Sequence, residues 1–525
     1  MIARLLIVLT LGAIVFVPVG ESKPLPAPTG MHGFLLRADE SFQRTFSRTP
    51  SFAWEPYEGA SSYDAQLAMS SKFDDRTLVW STDGMAGGLR VPAVAIPVAL
   101  PWMTGKPYAL YVRVRAHVGG GVTRWSTPFG FNTSWHADDG VGGAPQQVLP
   151  DTPGLVRWTP IDGATSYQVW FTSLDPTVNQ APTGKATAPV ENLVSTTTNV
   201  ADEREFYSTA GGISSDLSWR VRAVREVYGP LPNGLPRTSY GPWSPPYLSF
   251  AQTPQSGIPT PNLTVSDITT ANSGSNAQTL TPGYAFTGGG SGESPLFRVY
   301  VATDRHCVNI VYTGAAVSSP AYAPRTKAQG PGAAAGTAVD GETVTPTEAS
   351  GKVDLWDLGR PNARYWWTVV PVDKSLHDLE LPQDACDTGR VMEFSKISAA
   401  VTASTTRPYV SGLSRFGGLV AAQTKRPSFF RAPLVAWEPA RGATSYEVQW
   451  SQALNPWKTQ KSLSTPGTSM LVQGLAPGIW YYRVRGIDDN ALGFKEMTWS
   501  TPVSISISRP QFFNESNVTV RKVKK

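Results

Sequence analysis

For a chain of 525 residues, this one has little charge, little sulfur and little histidine. Its five histidines, His32, His117, His136, His306 and His377, are scattered and show no metal-ligand spacing. No His-Glu-x-x-His, Gly-x-Ser-x-Gly or phosphate-loop sequence occurs, so nothing points to a metalloprotease, a serine hydrolase or a nucleotide enzyme. Acidic pairs exist at Asp74-Asp75, Asp138-Asp139 and Asp488-Asp489, but each falls at a turn signal, where Asp serves local hydrogen bonding. Calcium at Asp138-Asp139 would need more oxygen ligands than that pair supplies. The reading is of a non-enzyme without cofactor or metal. Charged residues reach only 16%, which argues against coiled coils and long surface helices. The net charge of +5 is concentrated in the tail Arg521-Lys522-Val523-Lys524-Lys525, so the rest is near neutral and no global field favours nucleic acid. The tail reads first as a solvated terminus, with a polyanion or cell-wall contact as the alternative. The apolar run Leu5–Val17 follows Arg4 and ends at Pro18; it is short for a membrane span and resembles a secretory signal over 1–22. A retained N-terminal anchor is the alternative. Export to the extracellular space or cell surface is expected, with no further transmembrane segment.

What the chain has in quantity is glycine (48), proline (45) and aromatics (10%), a mix that suits all-β structure with many turns. A phrase recurs three times: Trp54-Glu55-Pro56…Gly59-Ala60…Tyr63, Trp158-Thr159-Pro160…Gly163-Ala164…Tyr167 and Trp437-Glu438-Pro439…Gly442-Ala443…Tyr446. Later in each copy comes an alternating strand: Tyr111-Val112-Arg113-Val114-Arg115-Ala116, Trp219-Arg220-Val221-Arg222-Ala223 and Tyr482-Arg483-Val484-Arg485-Gly486. Each strand is followed by Trp125-Ser126-Thr127-Pro128, Trp243-Ser244-Pro245 or Trp499-Ser500-Thr501-Pro502. A trio in fixed order marks a repeated domain. Period-2 alternation puts Val112, Val114 and Ala116 on one face and Arg113 and Arg115 on the other. The Pro and Gly between Trp and Tyr prescribe a turn between two strands.

These phrases resemble fibronectin type III domains, in the form common in secreted bacterial proteins. The resemblance implies a fold of four tandem immunoglobulin-like β-sandwiches. In that family the Trp lies on strand B, the Tyr on C, the Arg strand is F, and Trp-Ser-x-Pro opens G. The expected organisation is a rod: signal 1–22, then domains 23–136, 137–252, 253–403 and 404–510, then a basic tail 511–525. Trp54, Tyr63, Trp158, Tyr167, Trp437 and Tyr446 are the expected repeat core.

Domain 253–403 departs from the pattern. It lacks the Trp of strand B, and Tyr284 and Phe286 are the candidates to fill that space. A run rich in Ala, Gly, Pro and Thr, 314–351, is too long for an ordinary connection. Cys307 stands where the first copy has Phe73, and Cys386 lies between strands F and G. In an exported chain an isolated cysteine pair reads as a disulfide, worth about 4–5 kcal/mol in the chain-entropy model. A zinc site with His306 and His377 is the alternative, at a spacing that matches no finger or ribbon.

The outward arginines and the strand-G tryptophans should interleave: Arg113, Arg115 and Trp125; Arg220, Arg222 and Trp243; Arg483, Arg485 and Trp499. Because this recurs in every good copy it reads as a structural ladder, whereas a ligand site is expected in one copy only. Trp80, Trp102, Trp135 and Trp457 fall in expected loops or edges and are the candidates for stacking on a sugar ring. Sequons at Asn132, Asn262, Asn514 and Asn517 matter only in a glycosylating host. The functional expectation is a monomeric, non-catalytic binding or adhesion protein that engages an extracellular protein or polysaccharide. The alternative is a spacer or scaffold for a secreted hydrolase.

Overall fold

A computed structural model describes residues 25–35, 44–83, 87–136, 143–149, 152–172, 193–196, 198–204, 207–208, 212–213, 217–228, 231, 234–249, 257–265, 277–279, 283–289, 296–324, 363–396, 428–429, 432–440, 443–487, 489 and 496–507. The expected signal segment 1–22, the basic tail 511–525, Asp138-Asp139, Asp488 and most of the 314–351 run lie outside the described residues. The protein is all-β, built from pairs of facing sheets.

The first pair shows the plan. A small sheet runs in the order His32–Phe34, Ser51–Ala53, Ala93–Ala95. Facing it, a larger sheet runs Thr45–Phe46, Phe129–Thr133, Leu110–Val118, Ala60–Ala68, Leu78–Ser81. This is the two-sheet sandwich that the sequence resemblance implied. The second group pairs Leu155–Arg157 with Val200–Asp202, opposite a sheet centred on Ser166–Thr172 and Leu217–Glu226. The third has Gly257–Val265, Gly283–Gly289 and Ala321–Tyr322 against a sheet centred on Leu296–Ala302 and Ala363–Val372. The last has Leu434–Ala436 with Ser469–Leu471, against a sheet centred on Ser445–Ser451 and Gly478–Ile487. These groups are called modules one to four below. In modules one, three and four a short strand joins the last strand of the large sheet in parallel, Thr45–Phe46 to Phe129–Thr133 for example. The cores hold the alternate residues, so Val112, Val114 and Ala116 are buried while Arg113 and Arg115 reach the outer face.

The modules do not form a rod, and that expectation is corrected by their packing. The small sheets of modules one and four lie against each other: Phe34, Ala53, Val91 and Ala93 share one apolar cluster with Leu434, Val435 and Met470. The Ser51 and Ser469 hydroxyls meet at 2.7 Å. The small sheets of modules two and three face in the same way, with Leu155 and Val200 packed on Ala285, Ala321 and Ala323. A buried pair, Arg204 with Asp202 at 2.7 Å, binds the Ala323 backbone on both sides: Asp202 accepts its N–H and Arg204 donates to its carbonyl. Modules one and two meet end on through Trp102. Its indole lies in the core of module two beside Trp158 and donates to the Ser47 carbonyl at 3.0 Å. Gly163 of the repeated turn has φ +80°, and a Cβ there would sit 2.0 Å from the Ser47 carbonyl oxygen, so only glycine allows this approach. Sequence periodicity reports which face of a strand is apolar, but not which other module covers a sheet's outer side.

Candidate functional site

The recurring residues are fasteners of the fold. Trp54 and Tyr63, Trp158 and Tyr167, and Trp437 and Tyr446 are all buried, with ring centroids 5.3, 5.6 and 5.5 Å apart. The spacing of Trp and Tyr has a cause. The Tyr63 hydroxyl accepts the Tyr57 N–H at 2.9 Å and Tyr167 accepts that of Ile161 at 2.9 Å; Tyr446 bonds the Ala440 backbone. In each case the donor follows the proline of the phrase, so the tyrosine ties down the turn. The serine of Trp-Ser is equally specific. Ser126, Ser244 and Ser500 are buried, and each hydroxyl accepts the N–H of the facing valine, Val114, Val221 or Val484, at 3.0 Å. The same serine's own N–H donates to that valine's carbonyl. The hydroxyl thus supplies the ladder acceptor where the strand turns toward its proline.

Rows of arginine over aromatic rings form in modules one and four, and in module two Arg222 lies over the rings. Arg113 lies over Phe73 at 4.2 Å and Trp125 at 4.5 Å, and Arg115 over Trp125 at 4.5 Å. Arg222 lies over Tyr240 at 4.1 Å and Trp243 at 4.6 Å; Arg220 faces Trp170 across the strand pair. Arg483 lies over both Trp457 and Trp499 at 4.4 Å, and Arg485 over Trp499 at 4.6 Å. Sequence reasoning missed the acceptors. Arg113, Arg222 and Arg483 each grip one glutamine oxygen, of Gln66, Gln168 and Gln449, through two nitrogens. Arg115 donates to Asp64 and Arg485 to Glu447, both at 2.8 Å. The signal was available, since these acceptors stand one or three residues after each repeat tyrosine. Burial lowers the pKa of Arg113 and Arg483, and the neighbouring Arg115 and Arg485 add to it. Burial works to raise the Glu447 carboxyl, but its bonds from Ser462, Arg485 and Gln449 outweigh that and hold it below the usual range.

Module three replaces the row with a cross-link. Cys307 and Cys386 form a disulfide, Cα atoms 6.1 Å apart, and this takes both sulfurs away from the zinc alternative. His306 pairs with Asp387 and His377 with Asp373. Cys307 has φ 53° and Phe73 has φ 56° in matching turns, so the cysteine does occupy the aromatic's place. A short helix, Pro382–Asp387, carries Cys386 and sets Ala385 against Tyr300, Val370 and Val372, on the face where the other modules carry arginines. Tyr284 and Phe286 fill the space of the missing tryptophan, Tyr284 at 4.9 Å from Trp367.

The four stacking candidates are not equivalent. Trp102 is corrected: only 4% exposed, it is the plug between modules one and two, with no face open to a sugar. Trp135 packs beside it, ring centroids 6.2 Å apart. Trp80 is half-buried against the core of module one. Trp457 is half-buried on the outer face of module four, one side covered by Arg483, its Nε1 donating to Thr459.

A cavity lies where modules one, two and four meet. It measures about 290 Å³ and its wall includes Arg48, Asp162, Arg225, Glu226, Thr444 and Tyr446. Arg48, 3% exposed, donates to Asp162 of module two and to Thr468 and Glu438 of module four. Asp162 also accepts the Ser47 hydroxyl at 2.5 Å. Arg225 donates to the carbonyls of Leu100 at 2.6 Å and Gly163 at 2.8 Å. Desolvation, with the nearby Arg48, brings its pKa down to about 10. Burial pushes the Tyr446 hydroxyl well up, so it stays protonated.

No protein-family model matches the chain, and no curated protein matches it. Among solved structures it is similar to the FN1–FN3 domains of chicken CNTN1, at 14% identity over 71% of this chain and 99% of that one, with a TM-score of 0.14.

Proposed function

We propose that the chain is an exported, non-catalytic binding protein of the extracellular space or cell surface, with its modules at 23–136, 137–252, 253–403 and 404–510. Its partner is an extracellular protein or a polysaccharide, and flat stacking on a polysaccharide is the mode the surface favours. One observation carries this. The first and last modules build the same row, but half-exposed Trp457 stands where module one has the buried Phe73. Among the described residues, module four is the copy whose row carries two half-exposed indoles, Trp457 and Trp499, interleaved with Arg483 and Arg485, where module one has a buried Phe73 in the first place. No helix among the described residues is long and apolar enough to cross a membrane. The test is retention of the protein on insoluble polysaccharides and cell-wall preparations at several salt concentrations. Salt-resistant retention, lost at least tenfold in Trp457→Ala, is expected. Salt-sensitive retention would assign binding to the basic tail, and no retention on any material would sink the reading. A scaffold for a secreted hydrolase is the second reading, favoured by the shared core of modules one and four, which holds the modules in set positions.

A further inference from the structure

The junction cavity has an imbalance that the fold itself does not explain. Its carboxylates are engaged: Asp162 by Ser47 and Arg48, Glu226 by the Tyr228 hydroxyl. Arg48 has two carboxylate partners, Asp162 and Glu438. Arg225 has none. It is 8% exposed, and its hydrogen bonds use two of its three nitrogens, both on neutral carbonyls. Among the described residues no carboxylate forms a salt bridge with it, and Asp162 supplies only a through-space attraction that desolvation outweighs. A buried cation is costly without a counter-charge, and a guanidinium's planar fork suits a carboxylate best. The open space is next to it. Asp162 and Glu226 also line that space, and they disfavour a doubly charged guest. Thr165, Thr444 and Asn199 supply further polar groups, while Ala164, Ala440 and Pro439 supply an apolar wall. At about 290 Å³ the space is at the small end of ligand sites, right for one sugar-sized molecule.

We propose that the cavity between modules one, two and four binds a small organic monocarboxylate, of the size of a sugar acid, with Arg225 pairing its carboxylate. Three modules line the site, so the ligand reads the closed arrangement and stabilises it. The site lies apart from the Trp457 band, and the two are independent.

The test is isothermal titration of the full chain with acetate, pyruvate, D-glucuronate and D-glucose, the last as the uncharged counterpart of glucuronate. One site per chain is expected, with at least tenfold preference for glucuronate over glucose. Arg225→Met should weaken glucuronate at least tenfold. Because that change removes two structural hydrogen bonds, Ala164→Phe is the second variant: it fills the cavity and leaves every charge in place. It should abolish glucuronate binding and leave retention on polysaccharide intact. Equal affinity for glucose and glucuronate, no heat from any of the three carboxylates, or full binding in Ala164→Phe would each overturn the proposal.

Discussion

The hydroxyls of Ser51 and Ser469 lie 2.7 Å apart, although 418 residues separate them in the chain. Around them Ala53, Val91 and Ala93 of module one pack on Leu434, Val435 and Met470 of module four. The chain thus closes on itself, and modules one, two and four surround a common cavity.

That closure is open to direct measurement. Ala93 is buried in the shared cluster, so Ala93→Asp would bury an unpaired carboxylate, at a cost of several kcal/mol. We expect module four to swing away with each module still folded. Small-angle scattering should show a larger radius of gyration with an unchanged β spectrum. An unchanged radius would count against the closed arrangement.

Arg48 holds the same junction by charge. Its side chain is buried, but Asp162 and Glu438 are about a third exposed, so solvent screens part of each attraction. Arg48→Met should cost about 1–3 kcal/mol. Limited proteolysis of the variant should release module four faster than in the parent, and Arg48→Lys should restore only part of the protection.

The repeat serines make a sharper prediction at single-residue level. Ser500→Ala removes the acceptor of the buried Val484 N–H and should cost about 1–3 kcal/mol. Hydrogen exchange should speed up at Val484 by about tenfold or more, while Val114 and Val221, served by Ser126 and Ser244, stay protected.

Reduction of the Cys307–Cys386 disulfide should destabilise module three by about 2–5 kcal/mol. Differential scanning calorimetry with and without reductant should move only the transition that contains module three. A uniform shift of all transitions would contradict the local role argued for the helix Pro382–Asp387.

Acid should act on module four through Glu447. Its folded pKa is depressed by its bonds to Ser462, Arg485 and Gln449, so its stabilisation is complete above about pH 4.3, the unfolded value. It is lost as pH falls through the lower folded value. Glu447→Gln should therefore flatten the stability of module four below about pH 4.3 and leave the shape of the curve near neutrality unchanged.

Much of the fold was legible because it is local. The nine-residue step from Trp54 to Tyr63 places a strand, a proline-bearing turn and a second strand, and the Tyr63 hydroxyl on the Tyr57 N–H is the bond that makes this spacing recur. Alternation along Leu110–Val118 separates core valines from outer arginines by pleat geometry alone. The place of Cys307 was legible by comparison with Phe73, and the shared positive φ bears that out. The glutamines that hold the arginines were not recognised, because a polar residue on an outer strand face carries no sign of its cross-strand partner until register is set.

The sequence by itself determined the modules, since their cores and turns rest on contacts within one sandwich. Only the tertiary structure decided how the modules meet. Trp102 looks like any loop tryptophan until module two closes over it, and Val91 or Ala93 like any strand residue until module four covers it. The physical reason is that a strand's pattern records whether a face is apolar, whereas the surface that covers it comes from chain hundreds of residues away. The same holds for Arg225, one arginine in an alternating strand, which the meeting of three modules places, without a carboxylate partner, at the wall of a cavity.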